Sequence, residues 1–239
     1  MARPRSTGRR DAPRDPVEAR SASQGRDAEV ASATPVHPAR TARGEASRTR
    51  ILNSAIRLMW RDGYDGVSLD TILSEAGVLK GSFYHYFTSK VELLLICLDH
   101  LWSIQRQHLK VSKGAANTGR AELSAHLAWL CEAQLTAHRK YGYVPGLFHM
   151  SVGASAVYKD PRLAEKFKQF SEEHQQILRS SLEKMFLEEG LTADAYFLSD
   201  IIGNYISGTI LHARISNDIS PILEMSAGVM KLLRHFEKH

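Results

Sequence analysis

An all-α fold is predicted for this chain, and three features of the sequence predict it. Apolar residues recur with the spacing of one helical face in segment after segment. No stretch alternates polar and apolar residues for long, as a half-buried strand would. Residues that start and stop helices punctuate the segments: Asp160-Pro161 and Ser220-Pro221 at starts, Gly63, Gly77 and Gly190 at ends. The 239 residues are enough for one large domain, or for a small one joined to a larger.

Residues 1–46 are rich in Arg, Ala, Ser, Asp, Gly and Pro and contain no aromatic residue, so they are expected to form a disordered basic arm. The pattern changes at Ser47. Ile51, Ala55, Leu58 and Met59 follow the i, i+4, i+7, i+8 spacing of a first helix ending near Asp62, with Leu52 and Ile56 widening its face. Ser68 is an N-cap for a short second helix with the apolar face Leu69, Ile72, Leu73 and Ala76, and Gly77 supplies a left-handed stop. A third short helix begins near Lys80. The fourth opens with the capping box Ser89-Lys90-Val91-Glu92 and continues through Leu94, Leu95, Leu98, Leu101 and Trp102. After a polar stretch from Val111 to Arg120, further helices are expected over Ala121–His138, Leu147–Val157, Pro161–Glu189, from a cap at Thr192 to Ile215, and from Ser220 to Phe236.

The net charge of +5 is unevenly placed. Residues 1–46 carry nine Arg against six acids, and residues 47–90 six basic against four acidic groups, so the excess lies wholly in the first ninety residues. A polyanion is the partner such an asymmetry suits.

A helix of about eight residues, a glycine turn and a third short helix is the geometry that sets a final helix into the major groove of DNA. An ordinary helical corner has the same outline. The third helix adds chemistry that a corner does not need: Lys80, Ser82, Tyr84, His85 and Tyr86 place hydrogen-bond donors where phosphate oxygens would accept them. The run Gly77-Val78-Leu79-Lys80-Gly81-Ser82-Phe83-Tyr84-His85-Tyr86-Phe87-Thr88-Ser89-Lys90 resembles the recognition-helix signature of the TetR family of bacterial repressors, with Gly63-Tyr64 and Val67-Ser68-Leu69 in keeping. The resemblance covers Ser47 to about Leu98. It implies that Phe83 and Phe87 are core, that Tyr84 and Lys90 contact phosphates, and that Lys80, Gly81, Ser82 and His85 face base edges or the nearby backbone. Ser68 and Tyr86 complete the candidate DNA-binding set. Leu79 stands at a turn position where a small or polar residue is commoner in the family, and the arm is longer than most members carry. Arg40, Arg43, Arg48 and Arg50 could add phosphate or minor-groove contacts, or the arm could be a solvated tail.

The resemblance also implies a C-terminal region that dimerises and encloses a small molecule. The expected organisation is thus an arm (1–46), a three-helix helix-turn-helix domain (47–93) and a larger helical effector-binding and dimerisation domain (94–239). Gly203, Ser207, Gly208 and Ala213 would allow close approach along one helix, either to a second copy or within the chain. Candidate pocket residues are Trp102, Trp129, Tyr143, Phe148, Met150, Phe170 and Tyr205, with His126, His149 and Asn204 as polar groups. Aromatics at helical spacing serve equally as plain core. Helix 4 is the expected link by which a ligand would move the recognition helices off a palindromic operator, through a coupling of about 1–3 kcal/mol. A constitutive or architectural DNA-binding protein without an inducer is the alternative.

No enzyme is expected: the chain has no G-x-S-x-G elbow, phosphate-cradling glycine loop or HExxH, and Ser151-Val152-Gly153 sits in no such frame. Cys97 and Cys131 have no metal-binding spacing and read as small apolar helix residues, with neither metal nor other cofactor expected. No run approaches the roughly 20 apolar residues of a membrane helix, no secretion signal is recognisable, and the cytoplasm is the expected compartment.

Overall fold

The computed structural model describes residues 42–236, leaving aside the side chains of residues 42, 43 and 112. Nine α-helices follow one another among them, with no strand. The first, α1 (Ala42–Asp62), buries Ile51, Ala55, Leu58 and Met59 as its spacing requires. It begins five residues before Ser47, so the end of the expected arm is helical; residues 1–41 lie outside the described residues.

The next helices are short because their caps are close together. In α2 (Leu69–Ala76), the Ser68 hydroxyl accepts from the Thr71 amide at 3.0 Å, and Gly77 ends the helix at φ +61°, a conformation without Cβ cost only for glycine. One turn, α3 (Lys80–Phe83), follows, its amides closing back onto the Leu79 carbonyl. In α4 (Lys90–Ala115), the Ser89 hydroxyl accepts from the Glu92 amide at 3.1 Å as expected. The reciprocal half of the capping box is displaced by one residue: the Glu92 carboxylate takes the amide and hydroxyl of Thr88. This helix continues well into the stretch expected to be a polar connection, with Leu109 buried on its inner face and Lys113 reaching the Ser180 hydroxyl at 2.7 Å.

The remaining elements are α5 (Gly119–Tyr141), α6 (Phe148–Ala156), α7 (Pro161–Glu189), α8 (Ala195–Ser216) and α9 (Ser220–Phe236). Asp160 caps α7, with Pro161 in its first turn. Asp194, not Thr192, caps α8, accepting from the Phe197 amide at 3.0 Å. Gly119 brings α5 against α7 so tightly that a Cβ there would stand 2.3 Å from the Met185 nitrogen and 2.4 Å from the Ser181 oxygen.

Two apolar clusters result. One joins α1–α4 to α6 and the first half of α7, through Leu94, Trp102, Phe148, Val152, Leu163 and Phe170. The other is built from α5, the second half of α7, α8 and α9, around Leu127, Leu182, Ile206 and Val229. The core of the helix-turn-helix therefore continues into α6 and α7 without a break. Among the described residues no helix is long and apolar enough to cross a membrane.

Candidate nucleic-acid interface and effector cavity

The segment from Ser68 to Lys90 divides into residues that hold it and residues that it presents. Phe83 and Phe87 are fully buried and stacked at 5.3 Å between ring centroids. They anchor a turn whose outer side offers Gly81, Tyr84 and His85 to solvent, with Ser82 and Tyr86 half-buried. A Cβ added at Gly81 would meet nothing within 4 Å, so that position is open to a partner. Leu79 is 81% exposed, a large apolar side chain at the leading edge of the same turn.

The two lysines are not equivalent. Lys80 reaches across to Asp70 at 2.9 Å, and that carboxylate raises the lysine's pKa. Both groups are exposed, so the pair is worth little. Lys90 is half-buried: its ammonium donates to the Tyr64 carbonyl and lies 4.0 Å from the centroid of the Tyr64 ring, and burial lowers its pKa. The side chain that the resemblance assigns to phosphate thus also pins the start of α4 to the turn after α1. Ser68 is likewise occupied, capping α2 and bonding the Thr71 hydroxyl at 2.7 Å.

This arrangement is found in known proteins. Residues 51–96 match the family model described as bacterial regulatory proteins, tetR family. An HTH-type transcriptional regulator from the lacX 3' region of Lactococcus lactis is 27% identical over 80% of this chain and 94% of its own. LmrA, an HTH-type transcriptional regulator of Bacillus subtilis, is 26% identical over 79% of this chain and 97% of its own. The chain carries a TetR-type helix-turn-helix domain over residues 51–96. It is a DNA-binding transcriptional regulator and not an enzyme. A TetR-family regulator from Agrobacterium tumefaciens shares the fold with a TM-score of 0.70 at 16% identity, covering 79% of this chain and 97% of that one. The TetR-family regulator CifR, in a complex with 26-bp operator DNA, superposes with a TM-score of 0.67 at 16% identity, covering 77% of this chain and 95% of that one.

Behind the TetR-type DNA-binding helices lies a cavity of about 200 Å³ among α1, α4, α5, α6 and α7. Trp102, Trp129, Phe148 and Phe170 line it, as does Trp60 of α1, so all three tryptophans of the chain meet there. A second compartment of about 270 Å³ shares Trp102, Gln105, Leu147, His149 and Phe170 with the first and adds Met150, His174 and Asn204. The other two aromatic candidates lie elsewhere. Tyr143 borders a surface groove with Arg57 and Lys140, because the turn after α5 carries it outward. Tyr205 lies on the partly exposed outer side of α8, its hydroxyl within 2.2 Å of where a Cβ on Gly228 would stand.

Three histidines stand at or behind the cavity. Burial pushes the imidazole of His149 down to about 4, that of His174 to about 4, and that of His126 to about 3, the last helped by the neighbouring His174 and His108. His126 is buried with neither ring nitrogen hydrogen-bonded, beside a void of about 10 Å³ that Lys113, Glu122 and Ser181 also line. Among the described residues no group of three or more His, Cys, Asp or Glu could hold a metal. Cys97 is buried and Cys131 half-buried, and burial raises both thiols.

Besides α4, the cavity touches the DNA-binding helices through α1. The Trp60 indole donates to the Gly146 carbonyl at 3.2 Å and packs edge-on against Phe148 at 5.6 Å. Gln134 of α5 clamps the same Gly146, donating to its carbonyl and accepting from its amide, each at 3.0 Å. Arg214 of α8 donates to the carbonyls of Trp60 at 2.8 Å, Arg61 at 3.2 Å and Pro145. One sequence feature hints at Trp60: it flanks the apolar face Ile51, Ala55, Leu58 and Met59 instead of continuing it. Gln134 and Arg214 have no such signal, since their partners are backbone groups of a turn and of the end of α1.

Proposed function

We propose that this regulator is a repressor that binds a palindromic operator as a homodimer and is released by a small molecule entering the tryptophan-lined cavity. The observation that carries the reading is Trp60: one side chain of α1 both lines the cavity and bonds the Gly146 turn. A ligand that moves that turn moves α1, and with it the α2–α3 segment packed on α1. Such a ligand must bind the two arrangements unequally, and a difference of about 1–3 kcal/mol gives roughly 5- to 150-fold loss of operator affinity.

On the DNA side, Tyr84, Lys80 and Ser82 would hold phosphates. Gly81, His85 and Tyr86 would stand at base edges or the adjacent backbone, Ser68 would steady the start of α2, and Lys90 would add a phosphate contact with the donors left over from Tyr64. Leu79 would supply an apolar surface suited to a thymine methyl group. Dimerisation is assigned to α8 and α9. Phe197, Ile201, Asn204, Gly208, Leu211 and Ile215 recur every three or four residues on the outward side of α8, and most of that side is exposed. Gly203 and Ala213 are buried within the chain, so the small residues of α8 serve intrachain packing as well. The division into residues 47–93 and 94–239 is functional, since the packed core crosses it, and a compartment with direct access to DNA is the place for such a protein.

The test is selection of genomic fragments by the purified protein, followed by salt-dependent binding of the enriched site, with mass determination by light scattering. A palindromic site bound by a dimer and lost in Tyr84→Ala supports the proposal. Uniform weak binding to all fragments, unchanged in Tyr84→Ala, overturns it.

A further inference from the structure

The cavity has a property that identifies the kind of molecule it takes. Its two compartments are lined by tryptophan, phenylalanine, leucine, isoleucine, methionine, glutamine, serine, asparagine, histidine and small residues, and no Asp, Glu, Lys or Arg lines either one. The histidines do not supply a charge. Burial pushes His149 and His174 down to about 4, so both are neutral near pH 7. Glu173, just behind Trp102, is already engaged: it accepts from the Trp102 indole and faces Arg106 at 3.7 Å.

An ionised ligand here would give up part of its hydration without meeting a counter-charge, which is costly in proportion to the hydration lost. The apolar walls are flat. Trp102 lies against Phe170 at 5.1 Å between ring centroids, and Trp129 is stacked on His108 at 4.6 Å, so both indoles are held in fixed planes. Polar recognition is limited to a few groups. The Trp60 indole and the Gln134 amide are committed to Gly146, and the Trp102 indole to Glu173. On the wall that the compartments share, what remains is the Gln105 amide, whose hydrogen bond among the described residues is a long 3.4 Å to His174, and His149; the second compartment adds Gln175, whose buried side-chain oxygen has no partner among the described residues, with Ser171, Asn204 and Ser207.

We propose that the effector is an uncharged, flat aromatic molecule that lies against the Trp102 and Trp129 rings and directs one neutral hydrogen-bonding group to Gln105 and His149. This rests on the reading of the cavity as the effector site. The three tryptophans make the proposal measurable, because every indole in the chain reports on the same space.

The experiment uses full-length protein labelled with 5-fluorotryptophan, its three fluorine resonances assigned by single Trp→Phe variants. Three probes share one ring system and differ in charge: 2-naphthamide, 2-naphthoate and 2-naphthylmethylammonium. The expected result is that the amide shifts the Trp102 and Trp129 resonances in a saturable way, while both ionised congeners bind at least about tenfold more weakly. Gln105→Leu should weaken the amide. Equal or tighter binding of an ionised congener at the same resonances overturns the ligand class and leaves the cavity standing. Loss of the amide shifts in Ala133→Trp, which fills the cavity wall, supports the site. Shifts unchanged in that variant overturn the cavity itself, and no shift from any probe at millimolar concentration overturns the proposed class.

Discussion

Replacing Gln134 by methionine, a side chain of similar length without donors or acceptors, tests whether the Gly146 turn is the joint between cavity and DNA-binding helices. Gln134 is buried and makes two bonds to Gly146, one to each backbone group. The carbonyl keeps a second donor in the Trp60 indole, so its loss is the ordinary net worth of a hydrogen bond, about 1 kcal/mol. The amide has no other partner among the described residues and would be left buried and unsatisfied, at about 1–3 kcal/mol. Gln134→Met should therefore destabilise the protein by about 2–4 kcal/mol. Trp60→Phe removes only one of two donors and should cost about 1 kcal/mol through the hydrogen bond. The double variant strips the carbonyl of both donors, so it should exceed the sum of the singles by about 1 kcal/mol. Urea unfolding at fixed protein concentration, with unchanged m-value, measures all three. A Gln134→Met protein within about 0.5 kcal/mol of the parent, or strict additivity in the double variant, would refute the reasoning.

Three further outcomes are expected. Gly119→Ala forces a Cβ to within 2.3 Å of backbone that cannot swing aside, and should destabilise by about 1–3 kcal/mol or more, read as a lowered urea midpoint. Leu79→Ala should weaken the selected operator about tenfold, the worth of burying one to two methylene groups, while leaving non-specific DNA binding and its salt slope unchanged; equal loss on both DNAs would remove the thymine-methyl assignment. The third concerns pH. His126, His149 and His174 have folded-state pKa values pushed below the ordinary 6.5, to about 3, 4 and 4, so between pH 6.5 and about 4 the unfolded chain binds more protons than the folded one. Stability should fall as pH falls through that window, by up to about 1.4 kcal/mol per pH unit for each histidine, and His126→Leu should flatten the slope in a urea series. A slope unchanged by that substitution would show that other groups carry the acid sensitivity.

Much of this protein is decided within short stretches of its sequence. The stops at Gly63, Gly77 and Gly190 and the caps at Ser68, Ser89 and Asp160 depend on contacts no more than a turn or two apart, and the apolar faces of α1 and α2 on the spacing within each helix. Such rules act wherever the chain goes, so periodicity and caps can be read directly. The same holds for the recognition turn, where Phe83 and Phe87 bury themselves and leave Tyr84 and His85 outside. The errors lie where local signals compete. Thr192 and Asp194 are both good caps two residues apart, and the first turn of α8 closes on Asp194, whose side chain takes the Phe197 amide and whose carbonyl takes the Leu198 amide. The polar stretch after Val111 becomes the last turns of α4 because Lys113 finds partners on α7 and Leu109 is covered.

What only the tertiary structure decides is which distant residues share a space and which polar groups remain unengaged. Trp60, Trp102 and Trp129 are separated by up to 69 positions in the sequence and meet in one cavity. Tyr143 and Tyr205, with the same chemistry and no less suitable spacing, do not. Lys90 looks like a free cation in the sequence and is half-buried against Tyr64, while Gln134 looks like an ordinary surface amide and is the clamp on Gly146. The physical reason is the same in each case. A helix determines which side of itself is apolar, but the side chain's neighbour, and hence its charge state and hydrogen-bonding freedom, is set by the helices packed across from it.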